Sequence, residues 1–188
     1  MADFSVISDV SNEVLKVLRE NICPELIQSP ESIALAVPTD KNADFQLGLY
    51  LYDIQELREY QQQDLICLRG NKAQYPPKPL NLFFALFINT KSQFMSNMEN
   101  EQRILGRAMQ VLLDHAILYE TAEEDEDTTA SVTLLPLSYE EKTKIWSVLS
   151  VPYQLGIYFS VAPVLLSSRR VRSFRRVVAA EFDVANRG

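Results

Sequence analysis

An α+β fold, or mixed α/β arrangement, is what this 188-residue sequence predicts: a central mixed, largely antiparallel sheet flanked by helices. Three observations carry that expectation. Strand-type alternation and helix-type periodicity are interleaved along the chain, but not in the regular one-to-one order of a parallel α/β sheet. Several strand candidates follow one another with only loops between them. A 47% apolar content over this length is enough for one domain with a hydrophobic core.

The first element runs from about Ser5 to Glu20, where Ile7, Val10, Val14, Val17 and Leu18 form one apolar stripe and Asp3 or Ser5 stands ready to cap the start. Pro24, Ser29 and Pro30 interrupt regular structure. Ile33, Leu35 and Val37 then alternate with smaller residues, a short strand that Pro38 stops. From Phe45 to Ile54, Leu47, Leu49 and Leu51 fall on one parity and Tyr50 and Tyr52 on the other, so this strand is apolar on both faces and is expected to be central. Glu56 to Asp64 is polar and rich in glutamine, and reads as an exposed connection. Tyr75 to Pro79 carries three prolines, which favour extended backbone and set the entry to a strand over Leu80 to Ile88. A structural loop is the preferred reading of these prolines over a ligand for an aromatic groove.

Ser96 and Glu99 have the spacing of a capping box. The helix beyond it, Glu101 to Leu118, is strongly periodic: Ile104, Leu105, Ala108, Met109, Leu112, Leu113 and Ala116 make the core side, and Arg103, Arg107, Gln110 and Asp114 occupy other faces. Glu120 to Asp127 holds six acids in eight residues, which repel one another, so a solvated mobile loop is preferred there over a cation or partner site. Ser131 to Leu135 is a short strand. Ser138-Tyr139-Glu140-Glu141 is a second capping box, opening a helix that should bury Ile145, Val148 and Leu149 beside Trp146 before Pro152 ends it. Tyr153 to Leu166 is a long apolar strand with a bend at Pro163, and Val178, Ala180, Phe182 and Val184 alternate in a last strand.

Eighteen basic and 25 acidic residues leave a formal charge of −7, which disfavours general binding to nucleic acid or an anionic membrane, since phosphate affinity rests on positive charge. Leu82 to Ile88, the longest apolar run, is too short to span a bilayer, and the beginning of the chain lacks the basic and apolar regions of a signal peptide. Synthesis and assembly in a reducing cytoplasm are expected. Cys23 and Cys67 are too few and too separated for a disulfide framework or a metal site, and read as reduced, structural thiols. A single histidine, His115, excludes a histidine-rich metal centre, and it reads as a helix-end residue rather than a catalytic one. The five glycines are dispersed, without a phosphate loop or dinucleotide fingerprint. Catalytic, cofactor-binding and metal-binding residues are therefore all expected to be absent.

Arg169, Arg170, Arg172, Arg175 and Arg176 place five arginines in eight residues. Two readings stand side by side: an exposed polar stretch, or a contact between subunits in which guanidinium forks meet a neighbour's carboxylates. The expected division is a domain over 1–168 followed by a basic arm or last strand over 169–188. Strand candidates flank the arginines, so the arm is expected to reach a neighbour and add an edge strand there.

Phe4-Ser5-Val6-Ile7-Ser8-Asp9-Val10, Leu49-Tyr50-Leu51-Tyr52, Tyr75-Pro76-Pro77-Lys78-Pro79-Leu80-Asn81-Leu82, the long helix, and Lys144-Ile145-Trp146-Ser147-Val148-Leu149 running into Pro152-Tyr153-Gln154-Leu155 recur in an order that covers most of the chain. In that order the sequence resembles the cap proteins, or tail terminators, of contractile injection systems, such as the antifeeding-prophage and virulence-cassette caps. The resemblance implies a tail-terminator-like mixed sheet with flanking helices. It also implies a non-enzymatic structural role: a homo-hexameric ring that closes the inner tube and sheath at the end away from the baseplate. Its partners would be itself, the inner tube protein, the sheath protein and other cap paralogues. It would be part of a phage tail-like particle released outside the cell. Several relatives carry a further C-terminal region, whereas this chain stops at Gly188, as a minimal cap or one of several paralogues would. The alternatives from other classes are a small hydrolase or ligand-binding domain, which would need a polar pocket around His115, and a small monomeric adaptor using the arginine segment, which its mass in solution would distinguish from a ring.

Overall fold

The computed structural model describes residues 4–40, 44–60, 64–68, 71–89, 97–121 and 128–173. Its frame is a six-stranded sheet of β1 (Ile33–Leu35), β2 (Leu47–Glu56), β5 (Lys78–Ile88), β8 (Gly156–Leu166), β7 (Thr128–Leu134) and β6 (Ile117–Thr121), in that spatial order. β1 runs parallel to β2 and every other pair is antiparallel, so the predicted α+β class with a mixed, largely antiparallel sheet is what the chain adopts. A second, three-stranded antiparallel sheet joins β3 (Ile66–Leu68), β4 (Lys72–Gln74) and β9 (Val171–Ser173). The expected strand over Val178 to Val184 lies outside the described residues.

Alternation along β5 divides the core into two layers. Leu82, Phe84, Leu86 and Ile88 face helices α1 (Val6–Ile22) and α2 (Met98–Asp114), together with Leu47, Leu49, Phe159 and Val161. Phe87 faces the opposite way and packs edge-on against Phe45 and against Trp146 of helix α3 (Tyr139–Val148). Gly48 is needed there, because a Cβ would sit 2.5 Å from the Phe87 ring. Trp146 is fully buried and donates its indole N–H to the Tyr158 hydroxyl at 2.6 Å, which satisfies the one polar atom it brings inside.

α1 buries Val6, Val10, Val14, Leu15, Leu18 and Ile22, with Ile7 and Val17 at the margin. Ser5 precedes it, but its hydroxyl donates to the Asp9 carboxylate at 2.7 Å instead of capping a backbone donor, and Asp3 lies outside the described residues. Arg19 donates both Nε and Nη2 to the Ile33 carbonyl, fixing α1 to the edge of the sheet. Arg107 similarly joins α2 to the end of α1, through the Asn21 carbonyl.

Several expectations need correcting. The long helix does not reach Leu118: it ends at Asp114, with the His115 backbone N–H donating to Val111 O at 2.9 Å. Beyond it, Ile117–Thr121 pairs with β7, and that ladder outweighs the local helical pattern. The buried stripe of α2 is Ile104, Leu105, Ala108, Val111 and Leu112, one helical face; Met109 and Leu113 lie off it, 42% and 58% exposed. Asn97, not Ser96, caps α2, its side chain accepting from Asn100 N at 2.8 Å, and Ser96 lies outside the described residues. The capping box of α3 is formed as predicted, with Ser138 and Glu141 bonded reciprocally. That helix nevertheless buries Trp146 alone: Val148 is 84% exposed, and Ile145 and Leu149 are half-buried.

β2 is internal, yet the middle of the sheet belongs to β5 and β8. Its second half, Asp53–Glu56, is exposed, so the polar run from Glu56 onward begins inside the strand, where Glu56 pairs with Lys78 at 2.6 Å. The bend expected at Pro163 is a β-bulge, in which Ala162 and Pro163 together oppose the single residue Asn81. Both cysteines are free, but Cys67 is exposed on β3 and fills no core position. Of the acidic run, Glu120 and Thr121 stand in β6 and residues 122–127 lie outside the described residues.

Candidate assembly surface

The predicted arginine arm is, as far as Ser173, tied to its own fold. β8 hands over at Leu166 to a short crossing, and Val171–Ser173 then pairs with β4: Val171 lies opposite Gln74, Arg172 opposite Ala73 and Ser173 opposite Lys72. The pairing extends backward, since Tyr75 donates its N–H to Arg170 O at 3.1 Å and the Gln74 side-chain amide donates to Ser168 O. The Arg170 guanidinium sits 4.6 Å above the Tyr75 ring, and that of Arg169 5.6 Å from the Phe4 ring, both cation–π geometries. Arg175 and Arg176 lie outside the described residues.

Register gives the small sheet two dissimilar faces. Cross-strand partners share a face, so Ile66, Gln74 and Val171 lie side by side, and Leu68, Lys72 and Ser173 form the next row of that face. Ile66 is 42% and Val171 48% exposed, and Leu68 is half-buried. The other face carries Cys67, Arg172 and the fully buried Ala73. The structure thus brings Arg172 into one small sheet with Lys72, Ile66 and Val171, a grouping that sequence reasoning missed because no strand was expected between Asp64 and Tyr75. A signal was present in the sequence: Gly-Asn is a dipeptide that favours hairpin turns, and Asn71 adopts a left-handed backbone with φ of 56°.

A second exposed apolar strip follows Met109 and Leu113 on α2 to Ile117 on β6, at the edge of the large sheet. His115 is exposed at the end of α2. Among the described residues no cluster of histidine, cysteine and acidic side chains has the makings of a metal site. An open depression of about 450 Å³ lies beside the end of α1, lined by Lys16, Arg19, Glu20 and Cys23 among others. Of its two cations, Arg19 is already committed to the Ile33 carbonyl and Lys16 is paired with Glu13, and burial pushes the Cys23 thiol up, away from the thiolate a nucleophile requires.

Fold and surface together define an α+β module whose distinctive chemistry lies on its outside. The chain belongs to the Pvc16 N-terminal domain family, whose model matches residues 9–180. Its fold is that of a solved sheath/tube terminator from an extracellular contractile injection system, the PVC terminator in the extended state, with a TM-score of 0.66 at 18% identity. That match covers 97% of this chain and 64% of the other. The tube-terminating cap of the anti-feeding prophage matches with a TM-score of 0.61 at 17% identity, over 94% of this chain and 61% of that one. The chain thus spans less than two thirds of either terminator. No curated protein matches it by sequence. The resemblance to the cap family of contractile injection systems holds at the level of family and fold.

Proposed function

We propose that this protein is a structural cap of a contractile injection system: a hexameric ring that closes the distal end of the inner tube and sheath and stops their polymerisation, without catalytic turnover. The fold it shares along 97% of its length with a sheath/tube terminator is the observation that carries this reading. Capping a polymer requires one ring face complementary to the last layer and an opposite face that offers no further site. The partners on this reading are further copies of the chain, the tube protein, the sheath protein and other cap paralogues. The arginines from Arg169 to Arg176 serve contacts between subunits, where guanidinium forks meet carboxylates. The acidic balance disfavours nucleic acid and membrane as partners, and among the described residues no helix is long and apolar enough to cross a bilayer. Assembly takes place in the cytoplasm, and the cap leaves the cell as part of the finished particle.

Electron microscopy of particles assembled without this protein tests the proposal: tubes and sheaths of abnormal length with open distal ends are expected. Particles of normal, closed length in its absence overturn it. A strictly monomeric mass by native mass spectrometry, alone and with tube protein, would favour the monomeric adaptor instead.

A further inference from the structure

The three-stranded sheet is the least self-sufficient part of the molecule. Each strand has three residues, and a sheet this small holds its shape only when its apolar face is covered. Among the described residues nothing covers the face bearing Ile66, Leu68 and Val171, given the exposure of the two β-branched residues. Charge indicates what fits against it. The described strands and their lead-in carry Lys72, Arg169, Arg170 and Arg172 and no acidic residue. Across the chain the same polarity appears: residues 169–188 hold six arginines and two acids, a balance of +4, whereas residues 1–168 hold 12 basic and 23 acidic residues, a balance of −11. An apolar face that carries Lys72 and no acid, on a chain with a formal charge of −7, is complementary in charge to another copy of the same chain.

We infer that the Ile66, Leu68 and Val171 face of this small sheet docks on the acidic body of a second copy, with Lys72, on that same face, setting the orientation. The contact joins unlike surfaces, so it propagates head to tail, and on the cap reading its rotation closes into a ring. Apolar burial at its centre supplies adhesion, and rim charges supply register and encounter rate. This deepens the cap proposal and rests on it.

The test uses the full chain in sedimentation velocity and native mass spectrometry over a range of salt, as wild type, as Val171→Asp and as Lys72→Glu. Circular dichroism confirms that each variant is folded, and the charge-reversal variant leaves the apolar face intact should Val171→Asp fail to fold. Expected are wild-type self-association that weakens with salt, and a loss of about tenfold or more in both variants. Wild-type and variant chains that associate equally well overturn the inference while leaving the ring itself standing. If the wild type is monomeric alone, and Val171→Asp instead abolishes binding to tube or sheath protein, the occupant is not a second copy and the inference is likewise overturned. A wild type that binds neither itself nor tube nor sheath protein removes the cap reading as well.

Discussion

Leu112 and Leu113 are adjacent in sequence and opposite in consequence. Leu112 is buried between α2 and the sheet, while Leu113 projects outward. Leu112→Ala should cost about 2 to 5 kcal/mol, because it removes transferred surface and leaves a cavity. Leu113→Ala should stay within about 0.5 kcal/mol. Denaturant melts of the two variants decide the matter, and equal losses would show the helix rotated from its assigned face. Tyr52 offers a pH test. Burial, aided by the Asp53 carboxylate and then by Tyr158 and Glu141, pushes its hydroxyl up from an ordinary 10.0 to about 12. A raised pKa on an acid means that the native state favours the neutral phenol. This contribution to stability is present in full below pH 10.0 and is lost as pH rises toward about 12. Ultraviolet titration should therefore show a late tyrosinate step that disappears in Tyr52→Phe. Superimposable curves for the two proteins would contradict the placement of Tyr52 among Phe83, Tyr158 and the sheet.

At the scale of elements, α3 depends on its first turn. Trp146 is its single buried residue, so tertiary packing holds the helix at one point, and the reciprocal bonds of Ser138 and Glu141 do much of the rest. The Ser138 bonds hold the Glu141 carboxyl below its ordinary range, so the cap is complete above the usual glutamate pKa and fails as pH falls through the lowered one. Ser138→Ala should cost about 0.5 to 2 kcal/mol. Because α3 covers Phe87 from the side opposite α1 and α2, the loss should also disturb Trp146. A shift in tryptophan fluorescence at unchanged secondary structure is the expected readout, and an unaltered spectrum with unaltered stability would mean that the cap is dispensable. The end of α2 follows a different logic. No breaker stands near Asp114; the helix stops because β6 gains a ladder with β7. Local periodicity carries no trace of that competition.

For the whole molecule, charge polarity along the sequence is the dominant feature: residues 1–168 are net acidic and residues 169–188 net basic. Surface charges contribute about 0 to 1 kcal/mol each to folding, and Arg172 is exposed while Arg175 and Arg176 lie outside the described residues; replacing all three by serine is expected to leave the isolated fold nearly as stable. On the proposed cap reading, ring formation and tube termination should weaken in this variant, and more steeply as salt is raised. Normal termination by the triple variant with unchanged salt sensitivity would reduce these arginines to a solvated surface.

By itself the sequence determined the elements whose signals are local and long. The strand over Leu80 to Ile88, which the structure begins at Lys78, the apolar stripe of α1, the Ser138 capping box and the bend at Pro163 were each legible, because alternation, periodicity and capping chemistry act within a few residues. The same holds for the family, whose motif order spans the chain. Tertiary structure alone decided where α2 stops, which strands occupy the middle of the sheet, and that Leu113 and Val148 face outward. It also created the candidate surface. Ile66–Leu68 and Lys72–Gln74 are too short for alternation to register, and Val171–Ser173 becomes a strand only because β4, far back in the chain, supplies its hydrogen-bond partners. Arginine density marked the region as unusual. Its placement beside Ile66 and Val171 required backbone bonds between distant segments, a free energy that no local pattern of residues encodes.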